Sequence, residues 1–169
     1  MGGERVNKKI LVILTTLMTI GLLAPTVMAD PSTKTPVTAT SERIGVVPGE
    51  QWTTNGGIIQ IRGQQVTYKV TLNIFGESSL FGLSSNVWNG RVNPKTGKMI
   101  IHYETVWTFS GGSFEGVLQS RLESSPPPYE YYEIHGVLKG TGVFEGQKLM
   151  LSYEGSTINP EWTGILLRP

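Results

Sequence analysis

The stretch Gly140–Gly155 constrains the fold more than any other part of the chain. It reads Gly-Thr-Gly-Val-Phe-Glu-Gly-Gln-Lys-Leu-Met-Leu-Ser-Tyr-Glu-Gly. Gly140, Gly142 and Gly146 surround Phe144, and an alternating apolar run follows. Glycine adopts backbone conformations that other residues avoid, and apolar alternation with a period of two is typical of a β-strand. The stretch therefore predicts a strand that ends, a sharp bend, and a second strand that leaves. We expect at least one of Gly142 and Gly146 to have a positive φ or a crowded Cα, and Phe144 to be buried.

A shorter copy of the same pattern occurs earlier in the chain. Phe-Glu-Gly stands at 114–116 and again at 144–146. We assign Phe114 and Gly116 to the same structural motif as the three glycines and the phenylalanine of the later copy. Two such bends predict an antiparallel β-sheet that is closed or nearly closed.

The sequence from Arg43 to Pro169 predicts only strands and turns. Val66–Ile74 alternates between apolar and polar side chains, and Asn93–Gly97 is a proline-then-glycine turn typical of a hairpin. A long meander has to protect its edges, so we predict an all-β fold, an antiparallel closed barrel of about eight strands, over residues 43–169. A two-sheet sandwich is the alternative. Glycines inside the strands favour the barrel, because they let a strand coil tightly.

The alternation also predicts which side chains face the interior, since a register shift of one residue would invert a strand. The residues expected to be buried are Val66, Val70, Leu72, Phe114, Leu118, Leu149 and Leu151. The residues expected to be exposed are Lys69, Glu115, Arg121 and Lys148. A buried Lys69 or Arg121 would contradict the barrel.

Residues 1–29 have the pattern of a secretory signal peptide. A basic head precedes the uncharged run Ile10–Ala24, Pro25 breaks that run, and Val27–Ala29 offers small residues before a cut. An uncleaved membrane anchor is the alternative, because about twenty uncharged residues are just long enough to span a bilayer. Both interpretations predict a helix over Ile10–Leu23, detached from the barrel, and place the rest of the chain outside the cytoplasm, either secreted or tethered.

Residues 30–42 are rich in threonine and proline and offer little to bury, so we predict a linker there. Cleavage after Ala29 would remove three of the 14 Lys+Arg and one of the 13 Asp+Glu, which leaves a net charge of −1. No basic cluster interrupts this balance. The sequence therefore predicts no nucleic-acid partner, and membrane contact only through the N-terminal segment, if that segment stays uncleaved.

The chain contains no cysteine. A disulfide framework, thiol chemistry and cysteine-based metal sites are excluded, and an exported domain of this kind must be held together by its hydrophobic core. The sequence also lacks a Gly-x-Ser-x-Gly elbow, a phosphate loop and a dinucleotide fingerprint. We predict no cofactor and no metal.

The motif Gly140-Thr141-Gly142-Val143-Phe144-Glu145-Gly146 resembles a signature of the allene oxide cyclase and dirigent type of calycin-like barrel. Those proteins carry a similar Gly-x-Gly-x-Phe-x-Gly segment between two late barrel strands. The resemblance covers the late part of the chain and, more loosely, Arg43–Pro169. It implies an eight-stranded antiparallel barrel with a central pocket, often in a homo-oligomer. It carries over no catalytic residue, because the acidic and aromatic pocket residues of that family have no match here.

Each of the two histidines lies two residues from a glutamate. His102 shares a strand face with Glu104, and His135 shares one with Glu133. A metal or acid–base site is one interpretation; two solvent-facing polar pairs are the favoured one, because the opposite face of each strand holds the larger apolar residues. Glu115 and Glu145, in the repeated Phe-Glu-Gly, are likewise interpreted as solvated strand ends.

Tyr129, Tyr131 and Tyr132 cluster next to three prolines and are the candidate ligand-binding residues. Covering one end of the barrel is the favoured alternative role for them. We predict an exported binding or interaction module whose partner is a small apolar ligand or another protein. The alternative is a cyclase or isomerase with its site in the lumen, for which a pocket of a few hundred Å³ with two inward ionisable residues would be needed.

Overall fold

A computed structural model describes residues 32–122, 132–155 and 159–169. The strands are β1 Thr33–Val47, β2 Glu50–Thr53, β3 Ile59–Ile74, β4 Leu80–Val92, β5 Met99–Phe109, β6 Gly112–Leu122, β7 Tyr132–Gly142, β8 Lys148–Gly155 and β9 Glu161–Arg168. Among the described residues no helix is long and apolar enough to cross a membrane. The predicted helix Ile10–Leu23 and the predicted cleavage site lie outside the described residues.

The sheet closes on itself. The strands follow the order β1-β9-β8-β7-β6-β5-β4-β3, every pairing between neighbours is antiparallel, and β1 pairs with β3 to complete the ring. A bulge interrupts the register of β1 on β3 between Arg43 and Gly45, after which the two strands stay paired as far as Val47. The short strand β2 then continues the sheet on β3, from Glu50 opposite Arg62. The predicted all-β antiparallel closed barrel of eight strands is confirmed.

The two faces of the barrel are the ones that the alternation predicts. All seven side chains expected in the interior are buried, and all four expected in solvent are exposed. The inward positions of β3 and β5 form much of the core, with Leu72 on one side and Trp107 on the other both at most 1% exposed. Because the inward faces meet inside a closed ring, the barrel has a single core along its axis.

Glycines on the inward face allow the strands to approach closely. A Cβ atom at Gly136 would lie 2.5 Å from the carbonyl oxygen of Val117, and one at Gly164 would lie 2.0 Å from that of Met150. Neither distance is compatible with a side chain. These positions are occupied by glycine because the strands coil tightly there, which is the property that favoured a barrel over a sandwich.

The prediction of a linker over residues 30–42 is wrong from Thr33 onward. Those residues form the first part of β1, which pairs with β9 and β3. Val37 and Ala39 are buried on the inward face. Threonine fits a half-buried strand as well as it fits a linker, and Pro36 is tolerated because the ladder to β3 begins at Val37.

Candidate functional site

The two ends of the barrel differ in what fills them. One end holds three phenylalanine rings, Phe109, Phe114 and Phe144, which we call the phenylalanine plug. Phe114 and Phe144 stack with ring centroids 4.7 Å apart, and Phe109 meets Phe144 edge to face at 6.1 Å. Stacked and edge-to-face rings are favourable geometries. This end of the interior is therefore filled by aromatic rings.

The turn between β7 and β8 carries Phe144 and so holds the phenylalanine plug in place. Gly142 and Gly146 have φ of 62° and 81°, so the predicted positive φ is confirmed at both. A Cβ atom at Gly142 would lie 2.4 Å from the carbonyl oxygen of Gly111, where the amide of Val143 donates a hydrogen bond at 3.0 Å. Phe144 is buried and Glu145 is exposed, as predicted. The motif residues therefore serve the backbone and the plug.

The other end of the interior contains a cavity of about 20 Å³, which we call the lumen cavity. Pro160, directly before β9, bounds it, so it lies at the end of the barrel where β9 begins. A cavity of this size holds about one water molecule. Its lining is aromatic with a few neutral polar groups, namely Ser41, Tyr68, Ser84, Asn86, Trp88, Tyr103, Trp107, Leu118, Ile134, Pro160 and Trp162.

Aromatic contacts fix the walls of the lumen cavity. Trp88 and Tyr103 lie opposite each other on β4 and β5, with ring centroids 5.1 Å apart in an edge-to-face contact. Trp162 meets Trp107 edge to face at 5.7 Å, and its indole nitrogen donates a hydrogen bond of 3.1 Å to the hydroxyl of Ser41. The rings are therefore held from several strands at once.

A buried polar network lies beside these rings on β4 and β5. The side-chain amide of Asn86 donates to the Ser84 hydroxyl at 2.9 Å and to the carbonyl of Val66 at 3.3 Å. The hydroxyl of Thr105 donates to the Asn86 carbonyl oxygen. This network satisfies the polar groups of Asn86, so a buried amide remains compatible with a stable core.

Of the four buried side-chain polar atoms that have no hydrogen-bond partner among the described residues, three lie in this part of the interior. They are the indole nitrogen of Trp88, the phenol oxygen of Tyr103 and the hydroxyl of Ser120. All three residues are at most 8% exposed. Trp88 and Tyr103 line the lumen cavity. Ser120 lies on the inward face of β6, two residues along the strand from the cavity residue Leu118. Leaving a buried donor unpaired costs about 1–3 kcal/mol, so a hydrogen-bond acceptor in the adjacent cavity, from a water molecule or a ligand, would stabilise the folded state.

The ionisable groups of the lumen cavity are phenols. Burial raises the pKa of Tyr68 to about 12, and the Arg43 guanidinium lowers it by a smaller amount. Burial also raises the pKa of Tyr103; the nearby Ser120 hydroxyl offsets part of this shift, although the two hydroxyls do not meet hydrogen-bond geometry. Both phenols are neutral at physiological pH. No carboxylate, imidazole, ammonium or guanidinium group lines the cavity within the described ranges.

Of the three tyrosines that the sequence offers as ligand-binding candidates, the structure describes Tyr132. Tyr132 is half-buried against the core and lies close enough to Tyr68 and Tyr103 to affect their titration. Tyr129 and Tyr131 lie outside the described residues. The lumen site itself was missed: Ser84, Asn86 and Trp88 alternate along β4, and that pattern of polar and aromatic side chains on one face could have indicated it.

The histidine–glutamate pairs point to solvent. His102, Glu104, Glu133 and His135 are all exposed, and β6 separates their strands, with Gln119 lying opposite both histidines. No group of three potential ligands suited to a metal ion occurs in the described part of the chain. The favoured interpretation of these pairs as solvated surface groups agrees with this placement.

Glu115 and Glu145 are also exposed. Glu115 accepts a hydrogen bond of 2.6 Å from the hydroxyl of Ser113, its neighbour on β6. Neither carboxylate faces the interior, so they do not form a pair around one cleft.

No family model and no curated protein matches the sequence, and no solved structure matches the fold, so the resemblance to allene oxide cyclase and dirigent barrels stays a prediction.

Proposed function

We propose that this protein is an exported binding module that takes a small, neutral, largely apolar ligand with one hydrogen-bond acceptor into the lumen cavity. The observation that supports it is the cluster of unpaired polar atoms on Trp88, Tyr103 and Ser120 beside aromatic walls. The Trp88 indole nitrogen can only donate, and the two hydroxyls can donate as well. A carbonyl or ether oxygen on the ligand would satisfy them.

The charge of the site supports a neutral ligand. Tyr68 and Tyr103 are uncharged at physiological pH, and an ion would have to leave water without a counter-charge on the described cavity walls. Burying an unpaired ion is far more costly than burying a hydrogen-bonded neutral group. The same absence of a poised acid or base among the described lining residues makes binding better supported than the cyclase or isomerase alternative.

The size of the cavity defines how the ligand enters. About 20 Å³ accommodates the polar atom of a ligand and not its apolar body. The apolar part has to displace side chains that line the cavity, which include Trp162 and Ile134. Binding therefore changes the environment of Trp162, which makes tryptophan fluorescence a direct readout.

The experiment compares three probes of similar shape: acetophenone, which carries a carbonyl acceptor; ethylbenzene, which lacks it; and benzoate, which is charged. Acetophenone should shift the tryptophan emission and raise the melting temperature, because a ligand that binds the folded state stabilises it. Ethylbenzene should bind more weakly, and benzoate should not bind. Trp88→Phe and Tyr103→Phe should reduce the advantage of acetophenone over ethylbenzene.

Two results would contradict the proposal. If none of the probes binds, the interior is a packed core and the function lies on the outer surface of the barrel. If benzoate binds best, the recognised group is an anion and the neutral-ligand assignment is wrong.

A further inference from the structure

The outer surface of the barrel carries an exposed apolar row that crosses neighbouring strands. Val117 on β6 lies opposite Val137 on β7, Val137 lies opposite Met150 on β8, and Met150 lies opposite Ile165 on β9. These four side chains, which we call the apolar row, are 38–47% exposed. An apolar surface that is continuous over four strands favours a protein contact.

Opposite charges flank the apolar row on each of three strands. On β7 Lys139 stands on one side and Glu133 on the other. On β8 the corresponding residues are Lys148 and Glu154, and on β6 the order is reversed, with Glu115 and Arg121. All six are exposed. The sign of the charge therefore inverts between the two ends of each strand.

The midpoints of these three charge pairs lie on one line. Gly136 is midway between Glu133 and Lys139, Leu151 is midway on β8, and Leu118 is midway on β6. Leu118 is paired with Gly136, and Gly136 with Leu151, so the three positions are in register across the sheet. A two-fold rotation about this line would place each strand antiparallel over its own copy and exchange its ends.

We propose that the outer face of β6–β9 joins two copies of this chain across a two-fold axis along that line. Lys139 then meets the partner's Glu133, Lys148 meets the partner's Glu154, and Glu115 meets the partner's Arg121. The apolar row of one copy covers four polar side chains of the other, which we call the polar row: Gln119, His135, Ser152 and Thr163. A surface that is complementary to itself is what a two-fold dimer requires.

A shallow groove lies on the proposed axis, where it faces its own copy in the partner. It runs between the apolar row and the polar row, along Gly136, Leu151 and Gly164. Strand spacings of about 4.8 Å and row spacings of about 6.8 Å give a contact of about 400–500 Å² per copy. The total lies below the roughly 1,200 Å² of standard interfaces. The dimer should therefore be reversible, with a Kd on the order of micromolar or weaker.

The first test is a charge swap, followed by sedimentation equilibrium of the full chain. Glu133→Lys alone should weaken dimerisation about tenfold or more, because it sets two lysines against each other at both symmetric contacts. Adding Lys139→Glu to the same chain should restore it. Failure of the double variant to recover while both single variants weaken the dimer would overturn the two-fold arrangement.

A matched control uses two exposed apolar residues. Val137→Lys lies in the apolar row, and Leu83→Lys lies on β4, where the parent side chain is 50% exposed. Only Val137→Lys should shift the protein to monomer. Equal effects of both variants would overturn the assignment of the face; melting curves establish that each variant is folded.

The second test reads the geometry directly and uses the absence of cysteine from the chain. Copies with Lys139→Cys are mixed with copies with Glu133→Cys and treated with a short bismaleimide. The mixture should form cross-linked dimers, because position 139 of one copy meets position 133 of the other. Either variant alone should not, because the two copies of the same position lie at opposite ends of the contact. Cross-linking of Lys139→Cys copies to each other would overturn the proposal, and so would the absence of cross-links in the mixture.

Discussion

The phenylalanine plug and the lumen cavity lie at opposite ends of one barrel and differ in how their buried aromatic residues are satisfied. At the plug, Phe109, Phe114 and Phe144 meet ring to ring, and a turn with two left-handed glycines seals the end. Around the cavity, Trp88 and Tyr103 also meet edge to face, yet each carries a buried polar atom without a partner among the described residues. At the plug end one such atom occurs, the Gln147 side-chain oxygen.

This difference bears on what each end of the barrel contributes to the protein. A hydrocarbon ring in a core contributes by burial alone, whereas an indole or phenol contributes fully only if its polar atom is also satisfied. Phenylalanine at position 103 would keep the ring and remove the unpaired hydroxyl. Phenylalanine at position 88 would remove the unpaired indole nitrogen but would leave part of the indole volume empty. The unpaired polar atoms of Trp88 and Tyr103 are therefore the basis of the binding role proposed for that end, whereas the plug serves the packing of the other.

The largest expected effect tests the structural role of the plug. Phe144→Ala should lower the free energy of unfolding by about 3–5 kcal/mol, since it removes a buried ring that stacks on Phe114. Its neighbour supplies the control: Glu145→Gln should change stability by less than about 0.5 kcal/mol, because that side chain is exposed. Thermal and denaturant melts measure both. A Phe144→Ala variant that melts like the parent would make the turn a functional loop and remove the contrast between the ends.

The second prediction concerns alkaline stability and the cavity end. Because burial raises the pKa of Tyr68 to about 12, the unfolded chain loses its phenol proton near pH 10 while the folded chain keeps it. Stability from this group is fully present below pH 10 and falls as the pH rises through 12. At 1.4 kcal/mol per pH unit the loss is about 2–3 kcal/mol. Denaturant melts between pH 9 and 12 should show it, and Tyr68→Phe should reduce it. An unchanged pH dependence in that variant would contradict the assignment to Tyr68.

The third prediction returns to the plug end and its turn. Gly142→Ala should cost at least about 1–2 kcal/mol, because an L side chain is strained at its φ of 62°. Crowding by the Gly111 carbonyl adds to this cost. Gly56→Ala is the control, since a Cβ atom there meets only the Thr54 hydroxyl at 3.9 Å. If urea midpoints shift equally for both variants, the turn geometry is not what holds this end.

The smallest effect tests the cavity end. Tyr103→Phe should leave the free energy of unfolding unchanged or raise it by up to about 1 kcal/mol, because it removes a buried hydroxyl that has no partner among the described residues. A matched substitution, Thr105→Val, removes a hydroxyl that does donate a hydrogen bond, to Asn86, and should destabilise. Denaturant melts of the two variants should therefore move in opposite directions. A clear loss of stability in Tyr103→Phe would show that its hydroxyl is already satisfied in the unliganded protein.

The fold was predictable because it depends on patterns that are local in sequence. In Val66–Ile74 the alternation alone predicts which side chains face inward. Gly142 predicts a turn, because glycine is the residue that readily adopts the positive φ of a tight turn. The start of the barrel was not predictable in this way. In β1 the same threonines suit a strand or a linker, and what decides is pairing with β3 and β9. That pairing joins parts of the chain that are far apart in sequence.

The candidate site was less predictable for the same reason. Trp88 could be recognised as an aromatic residue of a strand, but its contact with Tyr103 depends on the register between β4 and β5. Whether a buried indole finds a partner depends on every neighbouring strand. Period-two patterns identify the inward face and do not identify which inward polar atoms remain unpaired.

The closure of the ring by β1 determines when this protein can fold. β1 pairs with β9, the last of the described strands, as well as with β3. The ring therefore cannot close until β9 has been made. Folding that depends on such long-range contacts takes roughly milliseconds to seconds in all-β domains. A nascent chain that ends before β9 would expose the unpaired edges of β1 and β8, and such edges recruit other chains into aggregates. Production of the intact barrel thus depends on keeping these edges apart from other chains until β9 has been made and pairs with both.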